Sequence, residues 1–429
     1  MNKPQKILII GSGGREHAIL RECLKSPLCG DIIAAPGNGG MEKDATACFP
    51  VDVSNPEAIA TLAVEQKVDF AIIGPEVPLC AGAVDALQNR GVLTFGPNEK
   101  AARFEASKTY TKDFLAKYDI PTAKYGNFTE TAPAIEFLES FPAAEPIVVK
   151  ASGLAAGKGV IIAENQTQAK EAVIEMLEEG KFGDSGKSIV IEECMFGRET
   201  SLHLLVSGDQ FLTLPSSRDH KKHGEGDTGL NTGGMGVIAP DPTIPQEVLD
   251  GILETIAKPT LAGFRTEGID YRGILYIGLM LTEEGPKVLE FNVRLGDPET
   301  QLILPLFAED TLEIFLKTAG NETLPEQLTP TGESAITVVL AADGYPGSYP
   351  KGLPIELPDT LPEGASVIHA GTAIKDGQLV TSGGRVLNII AFADSADNAY
   401  DKVYKVCEHP FFKNQYYRKD IGQTVPLST

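Results

Sequence analysis

Short apolar runs alternate with longer amphipathic stretches through the first hundred positions. KILII (6–10), DIIAA (31–35), VDFAIIG (68–74) and VLTFG (92–96) read as buried strands. Between them the pattern predicts helices from about Arg15, from Pro56, and across 79–90. Ser54 to Glu57 reads as a capping box with Pro56 inside the first turn. Strands alternating with helices predict a parallel sheet covered on both faces, where ligands gather beyond the C-terminal strand ends. Three such ends carry turn chemistry: GSGGREH (11–17), APGNGG (35–40) and GPEVP (74–78).

Near residue 100 the pattern changes. EASKTYTKDFLAKY (105–118) predicts one helix, while PIVVK, GVIIA and SIVIEE (146–150, 159–163, 188–193) predict strands of a mixed α+β unit. Residues 215–236 are polar and glycine-rich, the composition of a functional or mobile loop. GILYIGLML (273–281) and KVLEFNV (287–293) predict two strands joined by a TEEG turn. Beyond the Pro-rich stretch 323–334, SAITVVLAA, SVIHAGTAI and RVLNIIAFA predict a last β-rich unit closed by a helix. The chain, 429 residues long, therefore reads as two or three domains of α/β and α+β type.

A formal charge of −22 argues against a nucleic-acid partner, which needs clustered Lys and Arg. The six cysteines are scattered with no C-x-x-C pair, as expected of reduced thiols in the cytoplasm. The apolar stretches are too short to span a bilayer, so no membrane partner is expected. KILII runs into a glycine turn and not a small-residue cleavage site, so no secretory signal is expected.

Taken as a strand, KVLEFNVRL (287–295) places Leu289, Phe291, Val293 and Leu295 on one face and Glu290, Asn292 and Arg294 on the other. A carboxylate and an amide oxygen two residues apart suit a hard cation such as Mg2+, whose other ligands are water and phosphate oxygens. Arg294 suits bidentate capture of a carboxylate or phosphate. Alone, the face reads equally as a mixed-charge surface strand; the following GDPETQ adds acids beside it.

PIVVKASGLAAGKGVIIA (146–163) is not a Walker A loop. Three residues separate Gly153 from Gly157 where four are needed, Gly159 replaces Ser or Thr, and a strand follows. Strand, glycine turn, strand is the layout of a flap over ATP phosphates with Lys150 as a point charge, and equally of an ordinary hairpin. In SIVIEECMFGRE (188–199) the backbone around Glu193 to Met195 suits the polar edge of adenine and Glu199 suits ribose hydroxyls; a solvated acidic turn is the alternative.

The order of these signals carries more than any one of them. Lys108 on a helix, Lys150 ending a strand, a glycine flap, an E-E hinge with G-x-E and a strand ending E-F-N-x-R resemble the ATP-grasp superfamily. With GSGGREH ahead and RDHK (218–221), NTGGMG (231–236) and EFNVRLGDPETQ (290–301) behind, essentially the whole chain closely resembles the phosphoribosylamine-glycine ligase family.

That resemblance implies a Rossmann-like N-terminal domain (1–103), a central ATP-grasp domain (104–327, flap subdomain about 121–192) and a small C-terminal β-rich α+β domain (328–429). It implies a cytoplasmic enzyme, monomer or dimer, that uses ATP to join glycine to 5-phosphoribosylamine through glycyl phosphate, yielding glycinamide ribonucleotide in purine biosynthesis. Glu290 and Asn292 would hold Mg2+ or Mn2+. ATP would meet Lys108, Lys150, Gly153, Gly157, Lys158 and Gly159, and at the hinge Glu192, Glu193, Cys194, Met195 and Glu199. Arg294, Asp219, His220 and Lys221 are the catalytic candidates. The sugar phosphate would lie against Gly11, Gly13, Gly14, Arg15 and Glu16, flanked by Pro75, Glu76, Asn231, Thr232, Gly233, Gly234 and Asp297.

A lone phosphate at a helix N-terminus does not require the third glycine of a dinucleotide turn, which leaves Glu16 to cap the helix or bond ribose hydroxyls. An NAD site also lacks its acidic residue, because DIIAA runs into Pro36-Gly37-Asn38. Ser152 stands where the family commonly has Asp, and Leu230 where it has Pro. The strand before the proposed metal strand, LYIGLML, offers no carboxylate.

Overall fold

The computed structural model describes residues 3–154 and 159–423. Strands β1 (Gln5–Gly11), β2 (Cys29–Pro36), β3 (Ala47–Cys48), β4 (Phe70–Ile73) and β5 (Leu93–Phe95) form a parallel sheet in the order β3-β2-β1-β4-β5. GSGGREH, APGNGG and GPEVP all lie at its C-terminal edge, as the alternation predicts. Two local readings change. The helix Pro56–Glu65 is capped by Asn55, whose side chain accepts from Ala58 N at 3.1 Å, and not by Ser54, which bonds Asp52. The single helix expected across 79–90 is two, Glu76–Cys80 and Ala83–Asn89, parted by Gly82 at φ +86.

The helix expected from Glu105 to Tyr118 is also broken. Glu99–Ala106 ends at Ser107, which becomes the N-cap of Lys108–Lys117 by accepting from Tyr110 N. The kink sets Lys108 in a first turn. Strands β6 (Tyr125–Phe128), β7 (Ile147–Ala151), β8 (Val160–Ala163) and β9 (Ile189–Glu193) then form an antiparallel sheet, β6-β9-β7-β8. Its core, including Leu138, Ile147, Val149, Val173 and Ile191, is separate from the others.

Strands β10 (Arg198–Ser207) and β11 (Gln210–Thr213) precede a segment whose polar composition hides β-structure: β12 (Arg218–Asp219), β13 (Lys222–Gly224), β14 (Thr228–Asn231) and β15 (Gly236–Ala239). The expected loop in fact holds several short strands. Strands β16 (Arg272–Thr282) and β17 (Gly285–Asn292) follow, completing the antiparallel sheet β11-β10-β16-β17. One face of the N-terminal sheet shares a core with this unit, Leu8 and Ile10 packing in one cluster with Leu275, Phe291 and Val293.

The last unit holds β18 (Ser334–Ala341), β19 (Ala365–His369), β20 (Thr372–Lys375), β21 (Gln378–Thr381), β22 (Arg385–Ala393) and the closing helix Ala396–Cys407. SVIHAGTAI is thus two strands, and β20 pairs with β21 across Asp376-Gly377, both at positive φ. The C-terminal sheet, β12-β15-β18-β22-β19, draws two strands from residues 218–239.

Candidate active site

The polar face of β17 opens on the space between the two antiparallel sheets and the edge of the parallel one. Phe291, Val293 and Leu295 are buried on the other face, as the period of two requires. Leu289 departs from it. A register shift opposite Gly278 and Leu279 leaves Leu289 unpaired and only half-buried, and its carbonyl accepts from Lys150 Nζ at 3.3 Å.

Glu290 is half-exposed, and Lys221 Nζ lies 3.9 Å from its Oε1. Burial pushes its carboxyl up, but Lys221, Lys150 and Lys108 outweigh that and hold it down at about 2. It is a carboxylate at any working pH. Its cross-strand neighbour is Gly278, where an added Cβ would come within 3.1 Å of Glu290 Cγ, so glycine leaves the space beside Glu290 clear. Asn292 donates from Nδ2 to Glu290 Oε1 at 3.2 Å, and its Oδ1 accepts from Arg294 Nη2 at 3.2 Å. Two hard oxygen donors on one strand fit a divalent cation that leaves most of its shell to water and phosphate.

Arg294 is more heavily engaged than its sequence position suggests. Nε donates to Glu76 Oε2 at 3.3 Å, Nη1 to the Leu295 carbonyl at 3.4 Å, and Nη2 lies 3.0 Å from Glu105 Oε1. Burial opposes its charge, yet Glu105 and Glu76 raise its pKa further.

Lys108 and Lys150 reach the same space. Lys108 Nζ donates to the Gly153 carbonyl at 3.3 Å, and burial lowers its pKa. Lys150 Nζ is 2.9 Å from Glu192 Oε1, while Lys112 Nζ is 3.0 Å from Oε2 of the same carboxylate. Glu192, 2% exposed, is therefore an internal bridge between two lysines. Glu193 Oε1 accepts from Lys124 N at 2.9 Å; Cys194 and Met195 are half-buried, and Glu199 is exposed. Gly153 lies against Ser185, and Gly159 O accepts from Ala151 N at 2.8 Å. Gly157 and Lys158 lie outside the described residues.

Residues 218–221 alternate like the strand they begin. Lys221 turns toward the cleft, where Tyr276 and Glu290 raise its ammonium pKa well above the usual value. Burial, aided by Glu299, raises Asp219 well above the carboxylate range, and its Oδ1 has no hydrogen-bond partner among the described residues. His220 turns the other way: Nδ1 lies 3.2 Å from the Gly236 carbonyl, and burial lowers its pKa to about 4. Asn231 and Gly233 are exposed, Thr232 half-buried and Gly234 buried.

At the GSGG turn, Glu16 is 1% exposed. Its Oε2 accepts from Gly13 N at 2.6 Å, and its Oε1 from Arg15 Nε at 2.6 Å. Glu16 is thus the N3 partner of a capping arrangement, and a Cβ at Gly11 or Gly74 would collide with it. Arg15 N donates to Asp297 Oδ2 at 3.3 Å. Arg385, from β22, donates to the carbonyls of Gly233 and Asp297 at 2.6 and 2.5 Å. Pro75 N-caps the helix that begins at Glu76.

The structure therefore gathers Glu290, Asn292, Arg294, Lys108, Lys150, Asp219 and Lys221 around one cleft. It turns His220 away and commits Glu192 to its lysines. Sequence reasoning missed Glu105, Lys112 and Tyr276. Only Tyr276 carried a signal, lying opposite Asn292 on the neighbouring strand.

The chain matches the phosphoribosylglycinamide synthetase family over three consecutive stretches: its N domain at 5–105, its ATP-grasp (A) domain at 106–300 and its C domain at 335–424. It is 45% identical to a phosphoribosylamine–glycine ligase of Caldanaerobacter subterraneus, covering 97% of this chain and 99% of that one. It is 46% identical to the trifunctional purine biosynthetic protein adenosine-3 of Gallus gallus over 97% of its own length, and spans 42% of that longer protein. Among solved structures, phosphoribosylamine–glycine ligase of Thermotoga maritima superposes with a TM-score of 0.83 at 36% identity, covering 97% of this chain and 99% of that one.

Proposed function

The chain belongs to the phosphoribosylglycinamide synthetase family and is an ATP-dependent ligase joining glycine to phosphoribosylamine, and from that membership we propose the course of its reaction and the residues that carry it. Glycine's carboxylate takes the γ-phosphoryl group of ATP, giving glycyl phosphate and ADP. The amine of phosphoribosylamine then displaces phosphate to form the amide. The observation that carries this reading is the cleft that Lys108, Lys150 and Lys221 share beside Glu290: Lys221 Nζ lies 3.9 Å from Glu290 Oε1, Lys150 Nζ donates to the adjoining Leu289 carbonyl at 3.3 Å, and Lys108 Nζ to the Gly153 carbonyl at 3.3 Å. Three ammonium groups around one anionic strand face suit a reaction catalysed by positioning and charge neutralisation.

Glu290 and Asn292 would hold one divalent cation, Mg2+ or Mn2+, which when bound neutralises phosphate oxygens. Lys108 and Lys150 pair with the nucleotide phosphates beside Gly153. The backbone of Glu193 to Met195 faces adenine, and Glu199 the ribose. Arg294 orients the carboxylate of glycine by exchanging Glu76, the more exposed of its two acidic partners, for the substrate. Lys221 stabilises the acyl phosphate. Asp219, whose Oδ1 has no hydrogen-bond partner among the described residues, takes the proton released as the amine attacks.

Phosphoribosylamine lies between the GSGG turn and the turn at 231–234. Two of the turn's N–H groups are already taken by Glu16 and Asp297, and Asp297, the less buried of the two carboxylates, suits a ribose hydroxyl. On this reading domains divide near 103 and 327, with a flap at about 121–192 whose separate core supports it. No helix among the described residues is long and apolar enough to cross a membrane. Six free thiols support a place in the cytoplasm.

The test supplies ATP, Mg2+, glycine and freshly generated phosphoribosylamine, omits each in turn, and identifies the product by mass. Hydroxylamine added without phosphoribosylamine should trap glycyl hydroxamate, dependent on both ATP and glycine. Product formation without any trapped hydroxamate or ATP turnover would remove the proposed intermediate.

A further inference from the structure

The hairpin β13–β14 carries little apolar surface, and residues 225–230 are all exposed. Polar groups near the other end of the chain hold it. Arg418, 1% exposed, donates from Nη1 to the Lys222 carbonyl at 2.9 Å and to Asp227 Oδ1 at 2.7 Å. Its Nε and Nη2 reach the two oxygens of Asp420 at 2.8 and 2.7 Å. Asp420 Oδ2 also accepts from Gly226 N at 2.8 Å. Tyr416 stacks on His223 with centroids 4.3 Å apart, and its hydroxyl donates to the His223 carbonyl at 2.8 Å.

A buried guanidinium is costly unless its donors are matched, and a matched cluster fixes one arrangement of the groups around it. Here those groups lie next to the cleft. The hairpin begins one residue after Lys221, and Thr232 closes its base by donating both N and Oγ1 to the Lys221 carbonyl, each at 2.8 Å.

We propose that Arg418 is a positioning residue: through the Lys222 carbonyl and the Asp227 carboxylate it fixes the hairpin that aims Lys221 at Glu290. The segment Tyr416–Asp420 then acts as a clamp on the acceptor wall, some distance from any reacting atom. This rests on the reading of Lys221 as part of the catalytic wall.

Full-length Arg418→Met, Arg418→Lys, Asp227→Asn and Lys221→Met answer the question together. The measurements are kcat, KM for each substrate, and the rate of native-state trypsin cleavage after Lys221 and Lys222. Arg418→Met should lose about tenfold or more in kcat, keep its KM for ATP within about twofold, and be cut faster at the hairpin. Arg418→Lys should recover part of both. Asp227→Asn, on an exposed turn, should show the same pattern at smaller size. Arg418→Met with unchanged kcat and unchanged trypsin resistance overturns the clamp. If that variant does not fold, Asp227→Asn decides, and wild-type values for it overturn the clamp equally. Full activity in Lys221→Met would defeat the reading of Lys221 and the inference with it. An inactive Lys221→Met beside active clamp variants defeats the clamp alone.

Discussion

Arg294 and Glu105 form a buried ion pair: Nη2 lies 3.0 Å from Glu105 Oε1, while Glu105 Oε2 accepts the Val293 N–H at 2.7 Å. One carboxylate thus fixes both the guanidinium and the backbone of the strand that carries it. Glu105→Gln should keep the backbone hydrogen bond but release one hold on Arg294, costing about 1–3 kcal/mol of stability. We expect kcat to fall and KM for glycine to change more than KM for ATP. Steady-state kinetics with each substrate varied provide the check; equal effects on both KM values would point to a general structural role.

Glu290→Ala should reduce turnover by two orders of magnitude or more while leaving the circular dichroism spectrum unchanged, on the scale of ~10²–10³ for removal of a preorganised charge-stabilising group. Its carboxylate faces the cleft and supports no core packing. Near-normal turnover would sink the proposed cation site.

Glu192 has a different signature. Glu192→Ala leaves Lys112 and Lys150 without their shared anion in a buried place, so denaturant unfolding should show a loss of about 3–5 kcal/mol. Burial already lowers the Lys112 ammonium to about 8, and without Glu192 it should fall further. A variant of unchanged stability that merely binds ATP weakly would make Glu192 a direct nucleotide contact instead.

The fold should lose stability as pH falls through two windows. Burial lowers His203 and His369 to about 3 and His220 to about 4, against 6.5 when exposed. Below pH 6.5 the unfolded chain binds protons that the native chain refuses, so stability present above 6.5 declines as pH drops toward 3. Glu290, held at about 2 against 4.5, adds a loss of the same sign between 4.5 and 2. Urea titrations at stepped pH give the slope directly. Imidazole protonation near pH 6.5 in the native protein, read by NMR, would show those histidines to be accessible.

The sequence revealed what depends on near neighbours. The face shared by Glu290, Asn292 and Arg294 follows from a period of two, and the three turns at the parallel strand ends follow from apolar runs meeting glycine. Glu105 was hidden because its backbone partner is 188 positions away, and Lys112 because it reads as one more polar residue on a helix. Leu289 breaks its period at a register shift against the neighbouring strand. Ser54 and Asn55 are both good caps, and only geometry chooses between them. Strands β12 and β15 are two and four residues long, too short for a period to declare itself. The Asp376-Gly377 turn, by contrast, is a local hairpin signal carried by two adjacent residues.

The arrangement β12-β15-β18 also sets an order of assembly. The edge on which β15 lies begins at Ser334, so on the ribosome the sheet partner of the segment bearing Asp219 and Lys221 emerges only after β16 and β17 have been made. A nascent chain released before that point should carry its nucleotide elements but no finished receptacle for the second substrate.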